Sequence, residues 1–556
     1  MPNEPRASAT TTLAAPVSEV RASSPAPQTG HSPLAMCRAK GVGAGSGRAP
    51  DPAGWRIRGR RPSHSEHTLG RRRPGGTTPQ LPSIDDEIAV SDGDPILHRP
   101  RGRLGGRTRR EAPVLGLRPT VRFAIAFGLT LAWVAFSVWV SAPWRDELES
   151  AIGPVMGWVI PLFLAYIPGL VIGFMIFTLL ITRYQELALE PPEGEWRRGE
   201  WPPVTIVVAA WNERETIERT LEHIAELAYE GQVEVIVADN NSTDDTAQLA
   251  DAAGERLGLD YRRVLETKQG KHHALNAALA TVTTPLVVTV DADTHVHPQS
   301  LARLVARVTN KPQGQHVSAC AAALVAENPM ETYVTRMQQW DYRLGINGVK
   351  RMQAAYNTAL VAQGAFSAYW TSDLRAVGGW PDAIGEDIVL TWSMLGSRGL
   401  VQYEPVALGF TVVPERLHHL LSQRSRWGRG MLEGLRTHPP PKQPRVLAKL
   451  VAGIDYLVPL LDIGVIFFWV PGVILFLLGY PLIFGWWSML LLPITLAVFG
   501  LMQRWQARHV FRTLDIHPQS DKGGFVGYLL AYQVLTSAAA LRGYGQYLVG
   551  SGRRWT

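Results

Sequence analysis

The chain has 556 residues and a formal net charge of +7, and is 46% hydrophobic and 19% charged, which leaves room for more than one structural unit. These averages hide segregation into a basic Pro/Gly/Ser/Arg-rich stretch, a soluble middle and long apolar runs. Its two cysteines, Cys37 in the basic stretch and Cys320 in an apolar strand-like run, exclude a disulfide or zinc framework.

Residues 1–112 show no apolar period and bury too little surface to offset their ordering entropy, so they read as a disordered basic tail. The end of this tail, RPRGRLGGRTRR (99–110), precedes an apolar run. It reads as a topology determinant facing anionic lipid rather than as a nucleic-acid arm. Residues 120–183 predict two transmembrane helices: Phe123–Ala142 offers 20 uncharged residues and Ala151–Thr182 offers 32. Each is long enough to cross roughly 30 Å of hydrocarbon, with Pro154, Pro161 and Pro168 as candidate kinks in the second. By the positive-inside rule the tail is cytoplasmic, and two crossings return the chain to that side.

Residues 200–445 have soluble composition, and the first half of this stretch, within a domain expected over 200–411, alternates strand and helix patterns. PVTIVVAAW, VEVIVADN, YRRVLET and PLVVTVDAD read as strands; RETIERTLEHIAELA, DDTAQLADAAGERLG and KHHALNAALATV read as helices. Continuous β-branched runs between helices predict a parallel sheet covered on both faces, a doubly wound nucleotide-type domain on the cytoplasmic side. No GxGxxG follows the first strand, so the dinucleotide fingerprint is absent. Residues 412–445 predict an amphipathic, Arg/Trp-rich helix lying along the membrane interface. Residues 451–545 predict two to three further spans. Leu457–Met502 carries one charge, Asp462, and fits two spans turning at Gly479-Tyr480-Pro481. Phe525–Leu541, with 17 residues, reads either as a thin span or as a helix packed among the others.

In parallel α/β sheets ligands bind beyond the C-terminal strand ends. There the sequence places Ala210-Trp211-Asn212-Glu213, Asp239 and Asp291-Ala292-Asp293. Singly, Asn212 and Ser242 read equally well as helix N-caps, with Glu213 and Asp244 favoured by the helix dipole. Together they offer more. Asp239 can accept from a uracil imide and Trp211 supplies a flat face. Asp293 can ligate the Mg²⁺ or Mn²⁺ that a diphosphate requires, with Asp291 turned toward the ribose or the metal's outer ligands. KQGKHHALN (268–276) opens a helix with Lys271 beside a glycine, a phosphate-attracting arrangement; Lys268 fits a solvated turn as well. His272 and His273 have no metal-ligand spacing and read as helix surface. Glu386-Asp387 opens another helical pattern, as first-turn acids or as a base that takes a proton from an acceptor hydroxyl. LSQRSRWGRG (421–430) reads alone as a membrane-edge anchor.

AWNE (210–213), Asp239, GK (270–271), DAD (291–293), GED (385–387) and QRSRW (423–427) occur in that order. The set resembles the family-2 inverting glycosyltransferases, specifically the processive membrane polysaccharide synthases that make cellulose, chitin, hyaluronan and poly-N-acetylglucosamine. The resemblance covers about residues 200–430, and QxxRW is its most specific part. It implies a GT-A-like nucleotide-diphospho-sugar transferase domain, α/β with a mostly parallel sheet, embedded between N- and C-terminal transmembrane helices. It implies that Asp387 is the catalytic base and that Asp293 holds the metal. Ala210, Trp211, Glu213, Asp239, Lys271, Asp291 and Arg426 would bind the donor, and Glu386, Gln423, Arg424 and Trp427 would serve the acceptor and diphosphate. Trp211 stands where the family commonly has Tyr, Asn240 where it has a second acid, and Gly385 where it has Thr. The implied partners are a UDP-sugar, a polysaccharide acceptor, the lipid bilayer and export or modification proteins, with no nucleic acid. N-acetylglucosamine ranks before glucose as the transferred sugar. A non-processive glycolipid transferase is the alternative, and a transport or scaffold protein with a degenerate nucleotide domain is a more distant one.

Overall fold

The computed structural model describes residues 55–57 and 117–550, except 185, 188, 193–199, 485–490 and 520. In chain order its strands are β1 (Trp55–Ile57), β2 (Val204–Ala210), β3 (Val233–Asp239), β4 (Asp260–Leu265), β5 (Leu286–Asp291), β6 (Thr294–Val296), β7 (Val317–Ala326), β8 (Phe366–Trp370), β9 (Leu400–Thr411) and β10 (Ile516–Pro518). The expected disordered tail lies outside the described residues except at β1, which pairs antiparallel with β10. A composition averaged over the whole tail hides this short aromatic and β-branched run, which suits a strand.

The main sheet has eight strands in the order β4-β3-β2-β5-β8-β7-β9-β6. Its first half is the expected parallel unit, with β2 between β3 and β5 and β4 outside β3. The second half is mixed: β8 runs antiparallel to β5 and β7, β9 runs parallel to β7, and β6 runs antiparallel to β9. The β-branched runs allow the parallel half to be buried on both faces. Val207, Ile236 and Val287 enter one core, while Ile206, Val235 and Val288 enter the other. Such two-sided burial is what period-2 alternation gives when every position is apolar.

Among the described residues four helices are long and apolar enough to cross a membrane: Pro119–Val140, Pro154–Ile181, Val446–Leu477 and Lys522–Leu548. The first two cover the apolar runs Phe123–Ala142 and Ala151–Thr182 to within a few residues. The last is ten residues longer than the 17-residue apolar run inside it, because the Tyr, Gln and Gly residues around that run continue the helix. Between the last two lies Leu491–Gln506, whose described part is too short to qualify. At Pro161 the second helix passes into a π-helical stretch, Leu162–Tyr166, as expected where a proline removes a ladder hydrogen bond.

The apolar helices share their core with the sheet. Phe123 and Phe174 pack on Tyr356 at 5.5 and 5.7 Å between ring centroids, and the Thr178 and Tyr356 hydroxyls are 2.6 Å apart. Below the sheet, Tyr184 donates to Glu404 at 2.6 Å, and Arg307 donates to the other oxygen of the same carboxylate at 2.6 Å. This ties the end of the second apolar helix to β9.

Candidate active site

Because β2, β3 and β5 are parallel neighbours, their polar ends share one edge: Ala210 lies beside Asp239, and Ala209 beside Asp291. Trp211 stands at this edge with half its surface exposed, available as a flat face. Asn212 adopts a left-handed φ of 58°, which Asn tolerates better than most residues. Its side-chain oxygen accepts from the Thr243 N–H at 2.8 Å, and its own N–H donates to Ser242 Oγ at 3.1 Å. Asn212 and Ser242 therefore join two loops and cap no helix; the following helices start at Ile217 and Thr246 without side-chain caps. Asp239 is buried, with one oxygen accepting from the Ser242 N–H at 3.0 Å and the other 3.7 Å from Arg263.

Asn240, the departure from a second acid, has a positional use. Its amide donates to the carbonyls of Glu266 (3.1 Å) and Lys268 (2.7 Å) and accepts from the Gly270 N–H at 2.7 Å. An acid could make only the last of these bonds at neutral pH. The loop so fixed delivers Lys271, whose ammonium bonds Asp291. Gly364 leaves room for this pair: a Cβ there would lie 3.0 Å from Lys271 Nζ. Burial works against the Lys271 charge, but Asp291, Glu386 and Asp387 outweigh it and raise its pKa. One lysine thus faces acids from two separate elements. His272 is buried rather than on the helix surface, and neither ring nitrogen is hydrogen-bonded. The reason is that the 380s loop folds over this helix: the Asn276 amide and the Trp380 backbone exchange bonds of 2.8 and 2.9 Å.

The acids form a cluster short of positive charge. Asp293 is raised by burial first, then by Asp291 and Glu213, with Lys271 opposing. Glu213 is raised by burial and by its neighbours Asp291 and Asp244. Among the described residues no group of three His, Cys, Asp or Glu could hold a metal by itself. Asp291 and Asp293 are hard oxygen donors in an acid-rich pocket, which fits an Mg²⁺ or Mn²⁺ shared with phosphate oxygens rather than a cage made by protein alone.

Glu386 and Asp387 open the helix Glu386–Gly396. Burial raises the pKa of both, Asp387 repelling Glu386 and Lys271 opposing in each case. Asp387 accepts from the Ile388 N–H at 2.8 Å, and Thr391 donates to its backbone carbonyl at 2.6 Å. No local pattern marks Lys350, a fully enclosed amine whose charge acts on Asp387. It bonds Gln363 and, at 3.1 Å, the Val361 carbonyl, and burial lowers its pKa to about 7.

QRSRW lies on one helix, Leu417–Thr437. Its glycines set the docking. A Cβ on Gly385 would lie 2.7 Å from Gly430 Cα, so the GED triplet meets this helix backbone to backbone. The Ile384 N–H donates to Glu433 at 2.9 Å beside the same contact. On the other side, a Cβ on Gly543 would strike the Ser425 carbonyl at 2.2 Å, so helix Lys522–Leu548 packs equally close. Arg426 and Trp427 are exposed, and the Gln423 side-chain oxygen is buried without a hydrogen-bond partner. Arg424 is buried, donates to Asp341 (2.9 Å) and Tyr532 (2.7 Å), and stacks over Trp427 at 3.9 Å. The wide, weakly hydrated guanidinium finds a desolvated carboxylate there, a stronger attraction than open solvent offers.

Residues 202–430 match the family model described as Glycosyltransferase like family 2 and form a family-2 glycosyltransferase-like domain. Among curated relatives, the chain is 31% identical over 267 residues to an N-acetylglucosaminyltransferase of Mesorhizobium japonicum, covering 46% of this chain and 61% of that one. It is 30% identical over 232 residues to the poly-beta-1,6-N-acetyl-D-glucosamine synthase of Staphylococcus aureus, covering 41% and 54%. The matched segment therefore spans only part of each relative. A solved mannosyltransferase from Pyrobaculum calidifontis, in complex with GDP-Man and Mn²⁺, superposes with a TM-score of 0.43 at 20% identity, covering 78% of this chain and all of that one. The second relative's name is that of a polysaccharide synthase, the group that the motifs resemble.

Proposed function

We propose that the chain is a processive inverting glycosyltransferase. It moves a sugar, N-acetylglucosamine before glucose, from a UDP donor to the end of a growing β-linked polysaccharide and threads the product across the membrane. The observation that carries this reading is the convergence of Lys271, on the nucleotide half, with Asp291, Glu386 and Asp387, while the GED backbone rests on the QRSRW helix. A donor edge, a base and an aromatic platform then meet at the foot of apolar helices. The names of the relatives support N-acetylglucosamine as the sugar.

In this mechanism Trp211 and Asp239 hold the uridine, with Ala210 and Glu213 shaping the edge. Asp291 and Asp293 would hold Mg²⁺ or Mn²⁺, which when bound neutralises the leaving diphosphate. Lys271 and Arg426 add positive charge for the same anion, and Gln423 has an unused acceptor oxygen to offer a sugar hydroxyl. The Asp387 carboxylate takes the proton of the acceptor hydroxyl as its oxygen bonds the anomeric carbon from the face opposite the diphosphate. The bond from that carbon to the diphosphate oxygen breaks, UDP leaves with the electron pair, and the configuration inverts. Glu386 keeps the local field acidic beside the base. Trp427 stacks on the acceptor sugar, a contact that tolerates sliding by one unit. The catalytic domain lies on the cytoplasmic side of a multi-pass cell-membrane protein, with the Leu417–Thr437 helix along the interface.

Membranes containing the protein are to be incubated with a panel of labelled UDP-sugars and Mg²⁺ or Mn²⁺, and the product sized and digested with linkage-specific glycosidases. A polymer from UDP-N-acetylglucosamine is the expected product. A single-sugar glycolipid would replace processive synthesis with the alternative reading.

A further inference from the structure

Arg424, Asp341 and Tyr532 close a triangle on one oxygen. Arg424 Nη2 donates to Asp341 Oδ2 at 2.9 Å and to the Tyr532 hydroxyl at 2.7 Å, and that hydroxyl donates to the same Oδ2 at 3.0 Å. The three residues come from three elements: the QRSRW helix, the helical segment Asp341–Ile346 and the apolar helix Lys522–Leu548. The guanidinium so fixed lies 3.9 Å over the Trp427 ring and 5.8 Å from the ring of Tyr532. Asp341 in turn packs against Gly345, where a Cβ would come within 2.6 Å of its other oxygen. A buried Arg with both partners satisfied has few alternative positions, whereas Trp427 presents an exposed edge, with 37% of its surface open.

We propose that Arg424 is a positioning residue, locked by Asp341 and Tyr532, that fixes the Trp427 ring as the acceptor platform and couples its orientation to the spanning helix Lys522–Leu548. The proposal rests on the reading of the site as a sugar-polymer transferase and adds what sets acceptor retention. The planar guanidinium matters because its flat face lies over the indole and is attracted to the negative face of that ring, which a compact ammonium on a flexible stem does less well. The helix bearing Tyr532 also packs on the QRSRW helix at Gly543, so a shift of this span moves the platform as well. Donor binding is separate in its contacts: Lys271 bonds Asp291 and Asp239 accepts from Ser242, and among the described residues none of these three shares a hydrogen bond with the triangle. Loss of the lock is therefore read at the acceptor.

The test uses the full chain in membranes or nanodiscs and compares wild type with Tyr532→Phe, which removes one oxygen, and Arg424→Lys, which keeps the charge. The KM for UDP-sugar, the KM for an added oligosaccharide acceptor and the product length are measured for each. Expected is a rise of about tenfold in acceptor KM and shorter products, with the donor KM within about twofold of wild type. Unchanged acceptor KM and product length in both variants would overturn the proposal. So would a uniform loss of donor and acceptor function together, which marks a merely structural role. The size of the wild-type product tests the transferase reading separately. Should wild type add only one sugar, the acceptor KM of the two variants still decides whether Arg424 positions Trp427.

Discussion

Asp387 is a carboxylate held where its ionised form is disfavoured, and in the proposed mechanism it must be ionised to act as the base. Burial raises its pKa, while Lys271 and Lys350 pull it back. The rate should therefore fall as pH drops through a value above the ordinary carboxylate range near 4, because protonation then removes the base. Replacing Lys350 with Met removes one cation. Asp387 becomes harder to ionise, and this acid limb moves to higher pH, an effect read from kcat against pH between 4 and 8. In that range Lys350 carries charge below about 7, so the comparison is made where the lysine acts. Asp387→Asn keeps the shape and loses the base, and sugar transfer measured as UDP release should fall about 10²- to 10⁴-fold. A second residue-scale prediction concerns Asn240. Asn240→Asp turns two donated bonds into contacts between oxygens, should lower stability by about 1–3 kcal/mol in thermal unfolding and should raise the donor KM through the Lys271 loop.

At the scale of elements, the contact between the GED turn and the QRSRW helix depends on two glycines facing each other. Gly385→Ala places a methyl 2.7 Å from Gly430 Cα, where only backbone can give way. The expected outcome is a loss of about 1–3 kcal/mol in unfolding free energy, with transfer lowered more than UDP binding. Comparing UDP affinity by calorimetry with turnover separates the two. Gly385 stands out in the sequence as a departure from the family's Thr, but Gly430, 45 residues on, shows no local link to it. The parallel half of the sheet was legible because Val/Ile runs and amphipathic helices alternate within 90 residues, each with its own period. The mixed half was not. β7, VSACAAALVA, reads as an apolar strand-like run around Cys320, but nothing in its alanine-rich pattern tells that it pairs antiparallel with β8 and parallel with β9. The DxD, GK and GED positions were legible as residue types at strand ends and helix starts. The destination of Arg424 was illegible, since its partners are 83 and 108 residues away and nothing in local pattern pairs them.

The molecule as a whole does not divide cleanly into a soluble enzyme and an apolar anchor. One buried cluster contains Phe123, Ala126 and Phe174 from the first two apolar helices, and Val207, Ala321 and Leu408 from the sheet. It also contains Val451 from the third long helix and Val510 and Phe511 from the segment before β10. Tyr356 is the joint, ringed by Phe123 and Phe174 and hydrogen-bonded to Thr178. Removing the flanking helices would uncover this apolar face and leave Glu404 and Arg307 without Tyr184. Exposed apolar patches of such breadth drive association, and domain cores stripped of part of their cover lose cooperativity. A chain truncated to residues 200–445 should therefore aggregate or melt without a sharp transition, whereas the full chain in detergent should unfold in one main step. Size-exclusion chromatography and thermal unfolding monitored by tryptophan fluorescence check this. A monomeric, sharply melting fragment that binds UDP would show that the helices only anchor the enzyme. Failure of the fragment alongside a stable full chain would mean that the apolar helices complete the fold that holds Lys271, Asp291 and Asp387 together.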